Sequence, residues 1–191
     1  MKNHLHNYLF KLSRSGVGPD FASATCSYGK FTIYCLIGPE ENILQVSFAP
    51  EKHIRLQKQI KSLNSRVHFR TMLQKEFFLD AMFADYFSGR RTRFRLSMES
   101  PLIAAGSDFQ KRVWSHIWSI PYARCITYTK LAELAGSPRG ARAAAQACGA
   151  NPLALIIPCH RVVAINGPGG FAGGVAVKKA LLALETNGSK V

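Results

Sequence analysis

Apolar and polar residues alternate over residues 28–48, where Phe31, Ile33 and Cys35 are followed by Ile43 and Val46. A period of two predicts half-buried strands. The stretch Gly-Pro-Glu-Glu-Asn at 38–42 supplies turn residues between them, so two strands are expected here. The period then changes. Residues 53–63 and 71–87 space their apolar side chains three and four apart; in the second, Met72, Phe77, Phe78, Ala81, Met82 and Tyr86 form the recurring set. Both read as helices, the second ended by Ser88-Gly89. A basic run from Arg90 to Met98 leads toward a short strand. The first hundred residues are therefore expected to be α+β.

From residue 107 onward the helical period dominates. Residues 99–106, with Pro101 and Gly106, read as a linker. Ser107 suits an N-cap and Asp108 the first turn of a helix carrying Phe109, Val113, Trp114, Ile117 and Trp118, stopped near Pro121. Thr127 suits the cap of a helix from Tyr128 to Ala135, with Gly136 at its left-handed C-terminal position. Ser137-Pro138 then reads as the cap and first position of a helix from Arg139 to Cys148, ended by Gly149. Two short helices across a tight glycine turn are either a helix-turn-helix or an ordinary helical hairpin. The expected division is 1–100 for the α+β part and 107–188 for the helical part.

Composition supports a globular chain. Of 191 residues, 47% are hydrophobic and 19% charged, which excludes a disordered or collagen-like chain. No apolar run approaches the ~20 residues of a spanning helix, so no membrane segment is expected. Lys and Arg number 25 against 11 Asp and Glu, a formal charge of +14 shared by both halves of the chain. Such an excess points to nucleic acid before any other partner. Between Glu133 and Glu185 there is no acid, while Arg139, Arg142, Arg161, Lys178 and Lys179 are all present. Lys178 and Lys179 also fit a plain solvated face. Arg142 stands among Ala141, Ala143, Ala144 and Ala145, a pattern that lets a backbone approach a groove but equally suits close helix packing. Five cysteines without tight pairing, and an N-terminal stretch lacking an apolar core and cleavage site, suggest free thiols in a cytoplasmic protein.

The densest chemistry lies in Asn151 to Gly174. An apolar run, Leu153 to Ile157, leads into Pro158-Cys159-His160-Arg161, and glycines recur at 167, 169, 170, 173 and 174. Pro158 fixes the entry to a turn. His and Arg beside Cys159 would favour its thiolate, the attacking form. A buried structural cysteine is the other reading of Cys159.

The segment IPCHRVV, preceded by Asn151-Pro152 and followed by FAGG at 171–174, resembles the active-site motif of the O6-alkylguanine-DNA alkyltransferases, also known as methylated-DNA–protein-cysteine methyltransferases. The resemblance runs back through FQKRVW at 109–114, IPY at 120–122, ITYTKLAELAG at 126–136 and RGARAAAQACGANP at 139–152, and on to KKALLALE at 178–185. In the first half it rests mainly on YFSGRRTRF at 86–94. It implies an α+β fold: a small N-terminal domain with a ribonuclease H-like sheet and helices, then a mainly helical C-terminal domain with a helix-turn-helix. It implies single-turnover transfer of an alkyl group from O6 of guanine, and more weakly from O4 of thymine, in double-stranded DNA to Cys159. His160 would act as base through a water and Glu185 would orient it, although by position alone Glu185 could sit in an exposed last turn. Asn151 would brace the hinge before the nucleophile, and Tyr128 would donate to O6. Arg142 would fill the gap left by an everted base, with Thr129, Ser137 and Arg139 on the DNA backbone. Phe171, Ala172 and Gly173 would line the substrate pocket.

The resemblance implies a monomer needing no cofactor and no catalytic metal. A structural zinc is not expected, because Cys26, Cys35, His4 and His6 lack paired spacing. Four departures stand out. Phe171-Ala172 stands where Tyr followed by Ser or Ala is commoner, Ala123-Arg124-Cys125 replaces a glycine-led turn, Ala154 stands where a second proline is common, and the glycine loop is about one residue short. The alternative is a lesion-binding alkyltransferase-like protein, but those carry another residue where Cys159 stands.

Overall fold

A computed structural model describes residues 20–94 and 100–188, without the Glu40 side chain. Four strands form the first sheet: β1 (Asp20–Tyr28), β2 (Phe31–Ile37), β3 (Ile43–Ser47) and β4 (His68–Met72), in the order β3-β2-β1-β4. β1 pairs antiparallel with β2, and β2 with β3, while β4 runs parallel to β1. Alternation sorts the side chains between two faces. Phe21, Leu36 and Leu44 pack on Leu56 and Ile60 of helix α1 (Pro50–Leu63). Ala24, Cys26, Ile33 and Cys35 face a larger core that includes Phe83 and Tyr86 of helix α2 (Asp80–Phe87).

The two strands expected in 28–48 are β2 and β3, and the helix expected at 53–63 is α1. β1 carries no clean alternation and was not foreseen. The helix expected at 71–87 begins only at Asp80. Its first part is the end of β4 and a 3-10 turn, Gln74–Glu76. Tertiary pairing overrides the local period here: Met72 pairs with Ala24, and Gln74 accepts from the Ser27 backbone N–H at 2.9 Å. Part of the basic run leading toward a strand falls at 95–99, outside the described residues.

The stretch taken as a linker is partly helical. Ser100 caps α3 (Pro101–Ala104), which buries Leu102 and Ile103. Then follow α4 (Asp108–Trp118), capped by Ser107 as expected, α5 (Tyr128–Leu134), capped by Thr127, and α6 (Ala141–Gly149). Ser137 does not cap α6. Its N–H bonds Ala132 O at 2.8 Å and that of Gly136 bonds Glu133 O at 3.0 Å, so both residues close α5. α6 starts two residues later than expected, from Gly140, with no side-chain cap. Its alanines divide between both uses: Ala144 and Ala147 are buried in helix packing, whereas Arg142 and Ala143 are exposed. The last elements are the paired strands β5 (Ile126–Thr127) and β6 (Val162–Val163), and α7 (Val175–Gly188).

The two parts of the chain meet along the edge of β3. Val46 N–H donates to Pro152 O at 2.8 Å, and Ala154 N–H donates to Val46 O at 2.9 Å. The segment leading to Cys159 thereby satisfies an otherwise open sheet edge.

Trp114 anchors the helical part, fully buried with its indole N–H on Ala147 O at 2.9 Å. A Cβ on Gly106 would fall 2.4 Å from the Trp114 ring. Gly106→Ala is expected to cost about 1–3 kcal/mol by overpacking. Urea unfolding should show a lower midpoint with an unchanged slope.

Candidate active site

Cys159 sits at the start of a 3-10 turn, Cys159–Arg161, entered through Pro158 at φ −79°, ψ 65°. That is the geometry of an inverse γ-turn, and Cys159 N–H bonds Ile157 O at 2.8 Å. Proline holds this φ and has no donor to leave unsatisfied. Asn151 braces the preceding segment from both sides. Its amide donates to Ile157 O at 2.8 Å, and its carbonyl oxygen accepts from Leu153 N–H at 3.0 Å. Leu155, between them, is held at φ 74°, a left-handed conformation unusual for a bulky residue.

Cys159 lines a cavity of about 230 Å³ with Tyr128, Cys148, Gly170, Phe171 and Ala172. Gly173 does not line it; it packs on the N-terminal half, where a Cβ would fall 2.4 Å from Phe48 Cβ. The Phe171 ring lies 5.8 Å from that of Phe48. Tyr128 donates to Gly170 O at 3.2 Å and accepts from Lys178 Nζ at 3.3 Å, and burial pushes its hydroxyl pKa up to about 12. It therefore remains a neutral donor.

Beside the cavity lies a buried carboxylate. Glu185, fully buried on α7, accepts at Oε1 from His160 Nε2 at 2.8 Å and from Tyr86 Oη at 2.6 Å. Arg161 Nε reaches both carboxylate oxygens, at 3.1 and 3.0 Å, and Nη2 adds a contact of 2.9 Å to Oε1. The Ala123 N–H donates to Oε2 at 3.0 Å. Burial alone would raise the Glu185 pKa, but His160 and Arg161 more than reverse this, to about 2. Glu185 is thus a buried partner and not an exposed last turn.

His160 is fully buried, and desolvation lowers its pKa against the pull of Glu185. A neutral imidazole facing a carboxylate carries its proton on Nε2. Nδ1 is then an acceptor, and it is buried without a protein partner among the described residues. The thiol differs from expectation. Burial raises the Cys159 pKa, and the opposing influences are the Asn151 side chain, then Lys178 and Lys52. Arg161 does not take that part, because its guanidinium is committed to Glu185 and to Ile120 O at 2.7 Å. The resting sulfur is a thiol, and the imidazole next in the chain is neutral.

Thr129 and Ser137 are half-buried, and Arg139 and Arg142 are exposed, on α5, the turn and the first turn of α6. None of the four lines the cavity. Three contributors escaped the sequence reading. Lys178, taken as possibly solvated, is fully buried and donates to Val162 O at 2.5 Å and Gly170 O at 3.1 Å. The spacing Lys178, Leu181, Glu185 marks one helical face and could have revealed it. Lys52 of α1 donates to Gly149 O, and Tyr86 reaches Glu185 from 99 residues away. Cys26 and Cys35 are buried on β1 and β2, while His4 and His6 lie outside the described residues.

Residues 108–187 match the family model described as 6-O-methylguanine DNA methyltransferase, DNA binding domain. A methylated-DNA–protein-cysteine methyltransferase of Methanosarcina acetivorans is 37% identical over 153 residues, covering 78% of this chain and 89% of that protein. One from Mycobacterium bovis is 43% identical over 101 residues, and the match spans 52% of this chain and only 59% of that relative's length. The crystal structure of Mycobacterium tuberculosis OGT in complex with DNA superposes with a TM-score of 0.69 at 29% identity, over 87% of this chain and 94% of that one.

The carboxylate makes stability depend on pH. Its folded pKa, about 2, lies below the ordinary 4.5, so its contribution is present above that ordinary value and is lost as pH falls toward 2. Glu185→Gln leaves Arg161 buried without its charge partner, at an expected cost of about 3–5 kcal/mol at neutral pH. The gap in urea stability between wild type and this variant should narrow as pH drops below 4.5. Ala123, at φ 57°, holds the left-handed turn that points its N–H at Glu185. Ala123→Gly should relieve roughly 1 kcal/mol of strain, visible as a higher unfolding temperature.

Proposed function

The chain belongs to the methylated-DNA–protein-cysteine methyltransferase family, and from that premise we propose that it repairs DNA by moving an alkyl group from O6 of guanine, and more weakly from O4 of thymine, onto its own Cys159. The observation that carries this reading is a buried thiol on the wall of a base-sized cavity, followed in the chain by a neutral His160 whose Nε2 is fixed on Glu185. A water between the thiol and Nδ1 passes the sulfur's proton to His160. The thiolate attacks the alkyl carbon; the S–C bond forms as the C–O6 bond breaks, and the electron pair leaves with the guanine. A proton returned to the base balances the step, with the Tyr128 hydroxyl and backbone N–H groups of the glycine loop as donors toward O6. The thioether product has no route to hydrolysis in this site, so each molecule acts once.

The target carbon is unreachable in a stacked duplex, so the nucleotide must rotate out. α5 and α6 serve as a helix-turn-helix, with Arg142 taking the place of the extruded base. Thr129, Ser137 and Arg139 hold the phosphates with little base readout. The strand order, with an antiparallel β1–β3 run and β4 parallel to β1, supports a ribonuclease H-like reading of the N-terminal domain, 1–100. Residues 107–188 form the DNA-binding and transfer domain. The proposed protein is a monomer acting in the cytoplasm on duplex DNA with no cofactor or metal.

Intact-mass measurement after incubation with an O6-methylguanine duplex should show one added methyl group per protein, mapped to Cys159. Tight binding without an adduct would instead indicate a lesion-flagging protein. Cys159→Ala should accept no label; label still arriving on that variant would overturn the assignment. Arg142→Ala should slow transfer from duplex far more than from the free alkylated base. Equal loss on both substrates would remove its gap-filling role.

A further inference from the structure

The motif at 86–94 begins with a tyrosine that the reaction described above does not use. Tyr86 is fully buried. Its ring is fixed by Phe87, Phe94 and Tyr122, with centroids 5.3, 5.5 and 6.0 Å away. That packing leaves its hydroxyl 2.6 Å from Glu185 Oε1 and 3.4 Å from His160 Nε2. Oε1 is the same oxygen that receives the His160 N–H. Two donors on one carboxylate oxygen compete for its electron density, so the tyrosine sets how strongly Glu185 attracts a proton held by His160.

We propose that Tyr86 is a positioning residue for alkyl transfer: its hydroxyl, delivered by the N-terminal half, tunes the basicity of His160 through Glu185. This rests on the alkyl-transfer reading for its purpose but not for its physics. The charged groups around the pair are few. His160 faces Glu185, Arg161 of its own turn and Lys178 of α7. Glu185 faces His160 and Arg161, with the neutral Tyr122 and Cys125 further off. Arg161 is a fixed charge and Lys178 is tied to backbone carbonyls, so Tyr86 is the uncharged donor whose removal changes the carboxylate without changing the net charge.

Removing that donor leaves Oε1 a stronger partner for a protonated imidazole, so the His160 pKa rises. His160 must be neutral to take the sulfur's proton, so the acid limb of the pH–rate profile moves to higher pH. In Tyr86→Phe the shift is expected to be on the order of one pH unit, with about tenfold slower reaction at a fixed pH on that limb. Two readouts would be followed across pH: single-turnover transfer from an O6-methylguanine duplex, and carboxamidomethylation of Cys159 by iodoacetamide, which needs no DNA. Tyr34→Phe is the control, a β2 tyrosine whose ring lies against His53 and not in the cluster around Glu185; its profile should match wild type. Should Tyr86→Phe not fold, 3-fluorotyrosine placed at position 86 keeps the packing and strengthens the donor. It should move the limb to lower pH.

A uniform slowing of Tyr86→Phe at every pH, with the limb unmoved, would mean a merely structural tyrosine and overturn the proposal; so would a fluorotyrosine protein with an unshifted profile. A shifted iodoacetamide profile in a protein that takes no alkyl group from DNA would uphold Tyr86's role and refute the transfer reading instead.

Discussion

A carboxylate taken out of water must find donors to replace the solvent it has lost, and Glu185 finds them in three separate places. His160 and Arg161 come from the turn after Pro158, Tyr86 from α2, the Ala123 N–H from the loop after α4, and the carboxylate itself from α7. Each segment is held in position by a demand that the others also serve. Removing any one donor strands charge in a medium that cannot solvate it, which is why such clusters specify geometry more than they add stability. The left-handed backbone at Ala123 follows from the same demand. A residue that would rather be elsewhere on the φ/ψ map is kept there because its N–H is needed by Oε2.

The thiol shows the opposite side of burial. Desolvation keeps Cys159 protonated, although Lys52 and Lys178 lie close enough to favour its anion. Neither lysine is a free charge. Lys178 is spent on Val162 O and Gly170 O, and Lys52 on Gly149 O. They lower the cost of a thiolate without forming an ion pair that would have to be broken when the sulfur attacks. A thiol that burial keeps protonated is protected from casual alkylation, which matters for a site whose proposed product is permanent.

Much of this was legible in the sequence where local rules decide. The alternation in β2 and β3, the caps at Ser107 and Thr127, and the stop at Gly136 all hold, because each depends on residues within one turn of itself. The tetrad at 158–161 and the segments around it were singled out from the sequence, and one cavity brings Cys159, Tyr128, Phe171 and Ala172 together. Failures occur where distant partners decide. Residues 71–79 have a helical period but pair with β1, and Ser137 suits a cap but is consumed in closing α5. Arg161 looked like an activator of the nearby cysteine and is instead held by the buried Glu185 carboxylate and Ile120 O, partners distant in sequence. Lys178 was ambiguous because charge suggests solvent, while its place on the Leu181–Glu185 face says otherwise.

The two parts of the chain are tied by more than a shared core. β3 lends its open edge to residues 152–154, Phe48 receives Gly173 and Phe171, Lys52 ties down the end of α6, and Tyr86 reaches the carboxylate. These four contacts address different parts of one region: the segment leading to Cys159, the wall of the cavity, the helix that carries Cys148, and the carboxylate that holds His160. Arg139 stands exposed between α5 and α6, Arg142 stands exposed on the first turn of α6, and α7 carries Glu185, but the surroundings of Cys159 and of Glu185 are set from both halves of the chain. A substitution in the sheet or in α2 should therefore be read first for its effect on the thiol's environment and only then as a change in an independent domain.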